Sequence, residues 1–254
     1  MKLNKNKIIA LILYLLPVIF FVLFAASLLA VSCNKPEDGP NMAFAMATVT
    51  FRPQADGSYY LKLDEKTALI VTNPELQKYP FEDGKEKRAI IQLGFDPENP
   101  GTGHVDGFED VIDVVLYDFQ TLNVKSVVAY DKEQEQTYGD DPVGLYLEES
   151  TFPPTTIEDG YLCVHFAMEY SGEVTHTINA VYGTDPEDPY LIEFRHNYNG
   201  DVNRLFESDS YINFSLKDLP DTNGETVKLT LKWNSLATGK YETVQFDYKT
   251  RTDW

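Results

Sequence analysis

Thr226-Val-Lys-Leu-Thr-Leu-Lys-Trp233 alternates polar and apolar residues without a break. Period two is the side-chain spacing of a β-strand, so the stretch reads as a strand with one face on a core and one in water. The same pattern recurs on both sides of it. Upstream lie Gly144–Leu147, Tyr161–Met168, Val174–Val181, Tyr190–His196 and Ser210–Ser215, and downstream lies Tyr241–Tyr248. Short strands separated by turn residues predict a β-sandwich over residues 138–250.

The first half is strand-rich in a different way. Phe44–Phe51 runs through Pro53-Gln-Ala-Asp-Gly57 into Tyr59-Tyr-Leu-Lys-Leu63, and Asp56-Gly57 between two such runs is a hairpin signal. Thr67–Thr72, Arg88–Phe95 and Asp110–Tyr117 complete five candidates. Asn73-Pro74-Glu75 has the form of a short helix start, closed off by Pro80. Five short strands predict a small closed barrel over residues 44–122. Val124–Ala129 also has strand character, but Asp131–Asp141 is polar and acidic, so the domain boundary is expected there. The chain is therefore read as all-β, a five-stranded barrel followed by a sandwich.

The N-terminus reads as an address. Lys2, Lys5 and Lys7 precede an uncharged, mostly apolar run to Ser32, and Cys33 opens the polar stretch that follows. A basic start, an apolar run and small residues before a cysteine fit a lipoprotein signal peptide over 1–32, with Cys33 as the acylated residue and 33–43 as a tether. An uncleaved transmembrane anchor is the alternative reading of the same run. The lipid reading predicts a cell-envelope, outer-membrane location, with the membrane as partner through the N-terminal anchor.

Charge narrows the partners. Without residues 1–32 the 21 basic residues fall by three to 18, against 40 acidic ones, a formal charge near −22. Such a surface repels phosphates, so no nucleic-acid partner is expected.

No phosphate-binding glycine loop, Gly-x-Ser-x-Gly elbow or His-Glu-x-x-His helix occurs. No enzymatic activity, catalytic residue or cofactor is expected. The acidic loops Asp96–Asp110, Asp185–Pro189 and Asp218–Glu225 lack the spacing of an EF-hand and read as solvated turns. Cys163 reads as a buried apolar strand residue, and Cys163 with His165 lacks convincing further ligands, so no metal is expected.

Two histidines carry the sharpest local expectation. Period two places His176 with Val174, Ile178 and Ala180, and His196 with Tyr190, Ile192 and Phe194. Both rings should be at least half buried near the rim of the second core, serving the architecture, with Asn197 and Asp201 shaping the next turn. Arg195 falls on the other face beside Glu193, where an ordinary ion pair is expected. The rival reading is a binding site in which Arg195, His196, Asn197 and Asp201 converge on a cleft.

Several segments in order resemble the NigD-like lipoproteins of Bacteroidota. They are Cys33, Ala47-Thr-Val-Thr50, Asp56-Gly-Ser-Tyr-Tyr-Leu-Lys-Leu63, Asp140-Asp-Pro-Val143, Tyr161-Leu-Cys-Val-His-Phe166, His176-Thr-Ile-Asn179 and Leu191-Ile-Glu-Phe-Arg-His-Asn197 with Gly200-Asp201. The resemblance implies an N-terminal OB-like barrel and a C-terminal β-sandwich. It implies no catalytic residue. Two function classes follow: a non-catalytic binding or assembly module, bacteriocin-related by the family's name alone, and a carbohydrate- or cation-binding accessory of a surface uptake system. Aromatics such as Tyr59 with Tyr60, or Tyr79 with Phe81, exposed along a groove would favour the second; buried, they would favour the first. The protein or glycan partner is not named by the sequence.

Overall fold

The computed structural model describes residues 42–148 and 152–254. The expected signal segment, Cys33 and most of the tether lie outside the described residues. Among the described residues no helix is long and apolar enough to cross a membrane.

The first domain is a closed five-stranded barrel. Its strands are β1 (Ala43–Pro53), β2 (Tyr59–Lys62), β3 (Thr67–Val71), β4 (Lys87–Phe95) and β5 (Asp110–Thr121). The order around the barrel is β1-β2-β3-β5-β4, with β1 pairing both β2 and β4. All pairs are antiparallel except β3 with β5. That order and the one parallel pair define an OB-like barrel, as the resemblance implied. Phe51, Leu61, Leu69, Ile91, Val114 and Leu116 fill the interior.

Tyr79 and Phe81, on the β3–β4 connection, fold back onto this core. Phe81 meets Phe51 edge-on at 5.4 Å, and Tyr79 meets Tyr59 at 5.8 Å. Tyr59 Oη donates to the Leu76 carbonyl at 2.6 Å. These aromatics belong to the barrel core, where their polar ends find partners and their rings are shielded.

The second domain is a sandwich of two five-stranded sheets. One contains β6 (Val124–Ser126), β13 (Phe206–Ser215), β10 (Tyr161–Tyr170) and β8 (Gly144–Leu145), with β9 (Thr156–Glu158) also pairing β10. The other has the order β15 (Tyr241–Tyr248), β14 (Val227–Asn234), β12 (Leu191–Asn197), β11 (Thr177–Tyr182) and β7 (Val128–Ala129). Leu162, Val164, Ile192, Phe214, Leu229 and Leu231 are fully buried between them. In β14, Leu229, Leu231 and Trp233 point inward while their neighbours are partly exposed, the alternation its sequence shows.

The boundary differs from the sequence expectation. The sandwich begins near Val124, not at 138. β6 pairs in parallel with β13, and β7 with β11. The acidic stretch 131–141 is an excursion within the sandwich that carries one helical turn, Glu135–Tyr138. Composition marked it as a linker because it is polar; its anchoring by two-residue and three-residue strand pairs upstream leaves no periodic signal.

Candidate functional site: the seam between barrel and sandwich

Asp159 and Gly160 form the two-residue turn between β9 and β10, and both have positive φ, 51° and 75°. Asp-Gly is the residue pair that such a tight hairpin turn favours. Gly160 is required for a second reason: a Cβ there would lie 2.8 Å from the Trp254 ring and 2.9 Å from Arg251. The turn is thereby pressed against the C-terminal segment and faces the barrel wall.

That wall supplies the cations. Thr50 on β1 sits directly across from Lys62 on β2 and Arg88 on β4, and Arg52 lies two positions along β1. Period two turns Phe51 inward and Thr50 and Arg52 outward, toward the sandwich. Asp159 Oδ1 is 2.8 Å from Lys62 Nζ and 2.8 Å from Arg52 Nη2. Thr50 Oγ1 donates to Asp159 Oδ2 at 2.6 Å. Arg88 donates to Thr50 Oγ1 at 3.1 Å and to Glu158 Oε2 at 3.2 Å.

Barrel and C-terminus close the network. Glu86 accepts two hydrogen bonds from Arg251, at 2.9 and 2.6 Å, and a short one from Tyr161 Oη. Arg52 Nη1 stands 3.2 Å from Glu86 Oε2. Arg251 also lies over the Trp254 ring, 4.2 Å from its centroid. Bidentate pairing of this kind fixes orientation as well as distance.

The protonation states follow from these contacts. Burial pushes the Asp159 carboxyl up, but hydrogen bonds from Lys62 and Thr50 and the charges of Arg251 and Arg52 outweigh it and hold it below the usual range. For Glu86, hydrogen bonds from Arg251 and Tyr161 likewise outweigh burial. Glu158 goes the other way: desolvation dominates and Arg88 only partly offsets it, so its pKa is raised.

Along this seam runs a groove of about 1010 Å³. Tyr60 and Phe108 stand in its barrel wall, edge to face with centroids 5.4 Å apart. Asp64, Asp106, Asp247 and Asp253 also line it. Its floor is the Lys62–Asp159–Arg251 contact, whose charges are already paired. What remains open to a ligand is an aromatic pair and a largely acidic border that also carries Lys249.

The residues singled out by sequence lie elsewhere, and on two sides of β12. His196 is buried, with Nδ1 3.3 Å from the Pro142 carbonyl and Nε2 3.1 Å from His176 Nδ1. His176 Nε2 is 3.0 Å from Asp201 Oδ2, and both side chains are almost fully enclosed. Burial pushes His196 down to about 4, so the ring is neutral. The carbonyl can only accept, so the His196 hydrogen sits on Nδ1 and Nε2 accepts from His176. Asp201 is desolvated, yet the Ser171 N–H and His176 outweigh this and hold it ionised. His176 Nε2 donates to the Asp201 carboxylate. Asp201 ties the turn after β12 to the Ser171 backbone at 2.8 Å.

Arg195 is on the opposite face and does not join this cluster. It meets Glu135 at 2.6 Å, Glu193 at 3.1 Å and Asp140 at 3.2 Å. An ordinary pair with Glu193 was expected; the guanidinium is instead buried among three carboxylates. The reason is the excursion 131–141, which folds over this face. Asn197 pins the same excursion, donating to the Gln136 and Thr137 carbonyls at 2.8 and 3.2 Å. Gly139 permits the close approach, since a Cβ there would lie 2.6 Å from the His196 carbonyl oxygen. The structure thus brings His196 and Asp201 together through His176, and separates Arg195 and Asn197 from them. Among the described residues no group of three or more His, Cys, Asp or Glu is arranged to hold a metal ion.

The seam itself was missed. Its one legible signal was Asp159-Gly160, a hairpin dipeptide between two strand patterns. Arg52, Lys62 and Arg88 carry no local signal that another domain covers them.

An OB-like barrel joined through a charged seam to a two-sheet sandwich defines a class of two-domain, all-β proteins. A family model described as the NigD-like C-terminal beta sandwich domain matches residues 126–248, so the sandwich half of the chain is a NigD-like domain. Solved structures share the whole architecture. A protein of Parabacteroides distasonis described as toxin-related is 27% identical, with a TM-score of 0.59 over 82% of this chain and 94% of that one. A NigD-like immunity protein of Bacteroides caccae is 18% identical, with a TM-score of 0.52 over 82% of this chain and 98% of that one. A protein of Bacteroides fragilis described as a lipoprotein is 13% identical, with a TM-score of 0.54 over 83% of this chain and all of that one. The last two likenesses concern the fold alone. Among curated proteins, no relative matches the chain.

Proposed function

We propose that the chain is an envelope lipoprotein, anchored through an acylated Cys33, that works as a non-catalytic binding module with its ligand seated in the groove between barrel and sandwich. The observation that carries this reading is the paired seam beneath the groove. Asp159, Lys62, Arg52 and Arg251 satisfy one another. Groups engaged in that way hold two domains in fixed register and are poorly suited to proton transfer, which needs a group free to change its protonation state. A fixed groove binds with less ordering cost than a hinged one. The lipoprotein description of the B. fragilis neighbour supports the envelope address. The toxin-related and immunity-protein descriptions of two neighbours are in keeping with a toxin-related protein ligand, and a bacteriocin is suggested by the family's name alone.

A second reading, a carbohydrate-binding accessory, has one observation in its favour. Tyr60 and Phe108 offer an aromatic edge within the groove. Against it, Tyr59, Tyr79 and Phe81 belong to the barrel core rather than to a stacking platform. Affinity capture of the acylated protein from its native envelope separates the two, with Tyr60→Ala/Phe108→Ala as the control. The binding reading expects a bound protein that the double variant releases. A bound glycan released by the same variant favours the accessory. Cargo indifferent to the variant removes the groove from the account.

A further inference from the structure

β13 is a sheet-edge strand over most of its length. Its ladder with β10 is continuous from Phe206, opposite Tyr170, to Ser215, opposite Tyr161. On its other side, β6 covers only Asn213 to Ser215. The direction of the free groups follows from that contact. The Asn213 N–H donates outward to the Asn123 carbonyl at 2.9 Å, and the Ser215 carbonyl accepts outward from Val127. Along an antiparallel strand successive residues alternate between the two neighbours. Glu207, Asp209 and Tyr211 share the parity of Asn213, so their N–H groups point away from β10. Among the described residues no strand meets them.

The side chains along this edge are unusual for an exposed strand. Val202, Leu205 and Phe206, at its start, are 80%, 85% and 58% exposed. Leu205 and Val202 stand on the turn that Asp201 pins to Ser171, so the apolar group sits on a fixed base. Glu207 and Asp209 are exposed on the outer face of the sheet; Asp209 also reaches His165 at 3.2 Å. Ser208 and Ser210 share the core-facing parity of Ile212 and Phe214. An open edge with exposed apolar residues beside it is a template for another strand.

We propose that β13 is a docking edge for an extended segment of a partner protein, added as a further strand beside Glu207–Tyr211, in which basic residues alternate with apolar ones. Backbone pairing with the three outward N–H groups supplies the attachment. The alternation follows from the pleat: side chains of the added strand on the outer face lie beside Glu207 and Asp209, and those on the core face lie beside Phe206, Ser208 and Ser210. The acidic chain as a whole attracts such a segment and repels a second copy of itself. This edge is separate from the inter-domain groove, so either assignment can fail alone.

Amide hydrogen exchange on the full mature chain tests the proposal with a synthetic peptide of alternating Lys and Val as the probe. The expected result is slowed exchange at Glu207, Asp209 and Tyr211. A peptide of the same composition with its lysines and valines in two blocks should give no such protection. Glu207→Pro removes one outward N–H without touching the β10 ladder and should weaken the alternating peptide about fivefold. Should that variant fail to fold, Glu207→Lys keeps the backbone, inverts the charge and should weaken it about threefold. Equal binding of the two peptides overturns the proposal. So does protection mapped to any other strand, or protection of the same amides that depends on protein concentration without peptide, which would assign the edge to a second copy.

Discussion

The Asp159 carboxylate of the sandwich lies 2.8 Å from the Lys62 ammonium of the barrel, and both side chains are nearly sealed from water. Two buried charges from different domains can persist only if geometry and additional hydrogen bonds offset their desolvation. Arg52 and Thr50 provide those bonds here. The contact therefore specifies one relative placement of the domains, because any other leaves uncompensated charge on both sides.

His196 should make folding acid-sensitive. Its folded pKa is depressed to about 4 from an ordinary value of 6.5. A depressed value means stability that is complete above 6.5 and lost as pH falls through 4. The size is on the order of 3 kcal/mol at full loss. Asp201, also lowered, acts in the same direction. Urea midpoints measured from pH 7 to pH 4 should fall for the wild type. His196→Gln should be less stable at pH 7, by about 1–3 kcal/mol, and show a shallower acid dependence. Unchanged stability in that variant would return the cluster to the ligand-site reading.

Much of this cluster was legible in the sequence, because period two assigns faces without knowledge of partners. Phe194-Arg-His196 puts its imidazole inward along β12, and His176, expected on a strand from Val174, instead immediately precedes β11, which starts at Thr177, yet is enclosed as well. The same alternation identified β14 and the barrel strands. It marked Val124–Ala129 as strand-like but could not assign β6 and β7 to the sandwich, because they are too short to show which sheet they join. It also could not tell that the acidic excursion covers Arg195, or that the sandwich covers Arg52, Lys62 and Arg88. Those burials are created by contacts between segments distant in sequence, and an outward-facing charged residue looks the same in sequence whether water or another domain lies beyond it.

Cys163 should be chemically silent in the folded protein. It is fully buried on β10, and burial pushes its thiol up to about 12. Thiolate is the reactive form, so a disulfide reagent such as dithionitrobenzoate should label it only after unfolding. Labelling at the same rate in buffer and in denaturant would show that β10 opens readily.

Cys33 should carry lipid, with residues 1–32 removed. Intact mass of the membrane-extracted protein should begin at an acylated Cys33, and Cys33→Ser should be unprocessed or released from the membrane. An intact Met1 terminus in membranes would replace the lipid anchor with a transmembrane one.

The OB-like barrel should not bind DNA or RNA at physiological salt. Without residues 1–32 the chain carries a formal charge near −22, and Arg52 and Arg88 on the barrel wall are paired with Asp159 and Glu158. Gel-shift titration should show no retention; micromolar, salt-sensitive retention would contradict the electrostatic argument.

Scanning calorimetry of the wild type and Asp159→Asn tests most directly whether the seam makes one body of two domains. Removing one charge from a buried cluster leaves the others unpaired and costs about 3–5 kcal/mol. The wild type should melt in a single transition. The variant should melt earlier and in two steps, as barrel and sandwich come apart before each unfolds. Two independent transitions already present in the wild type, or a variant whose trace matches it, would show that the Asp159 contact does not join the domains.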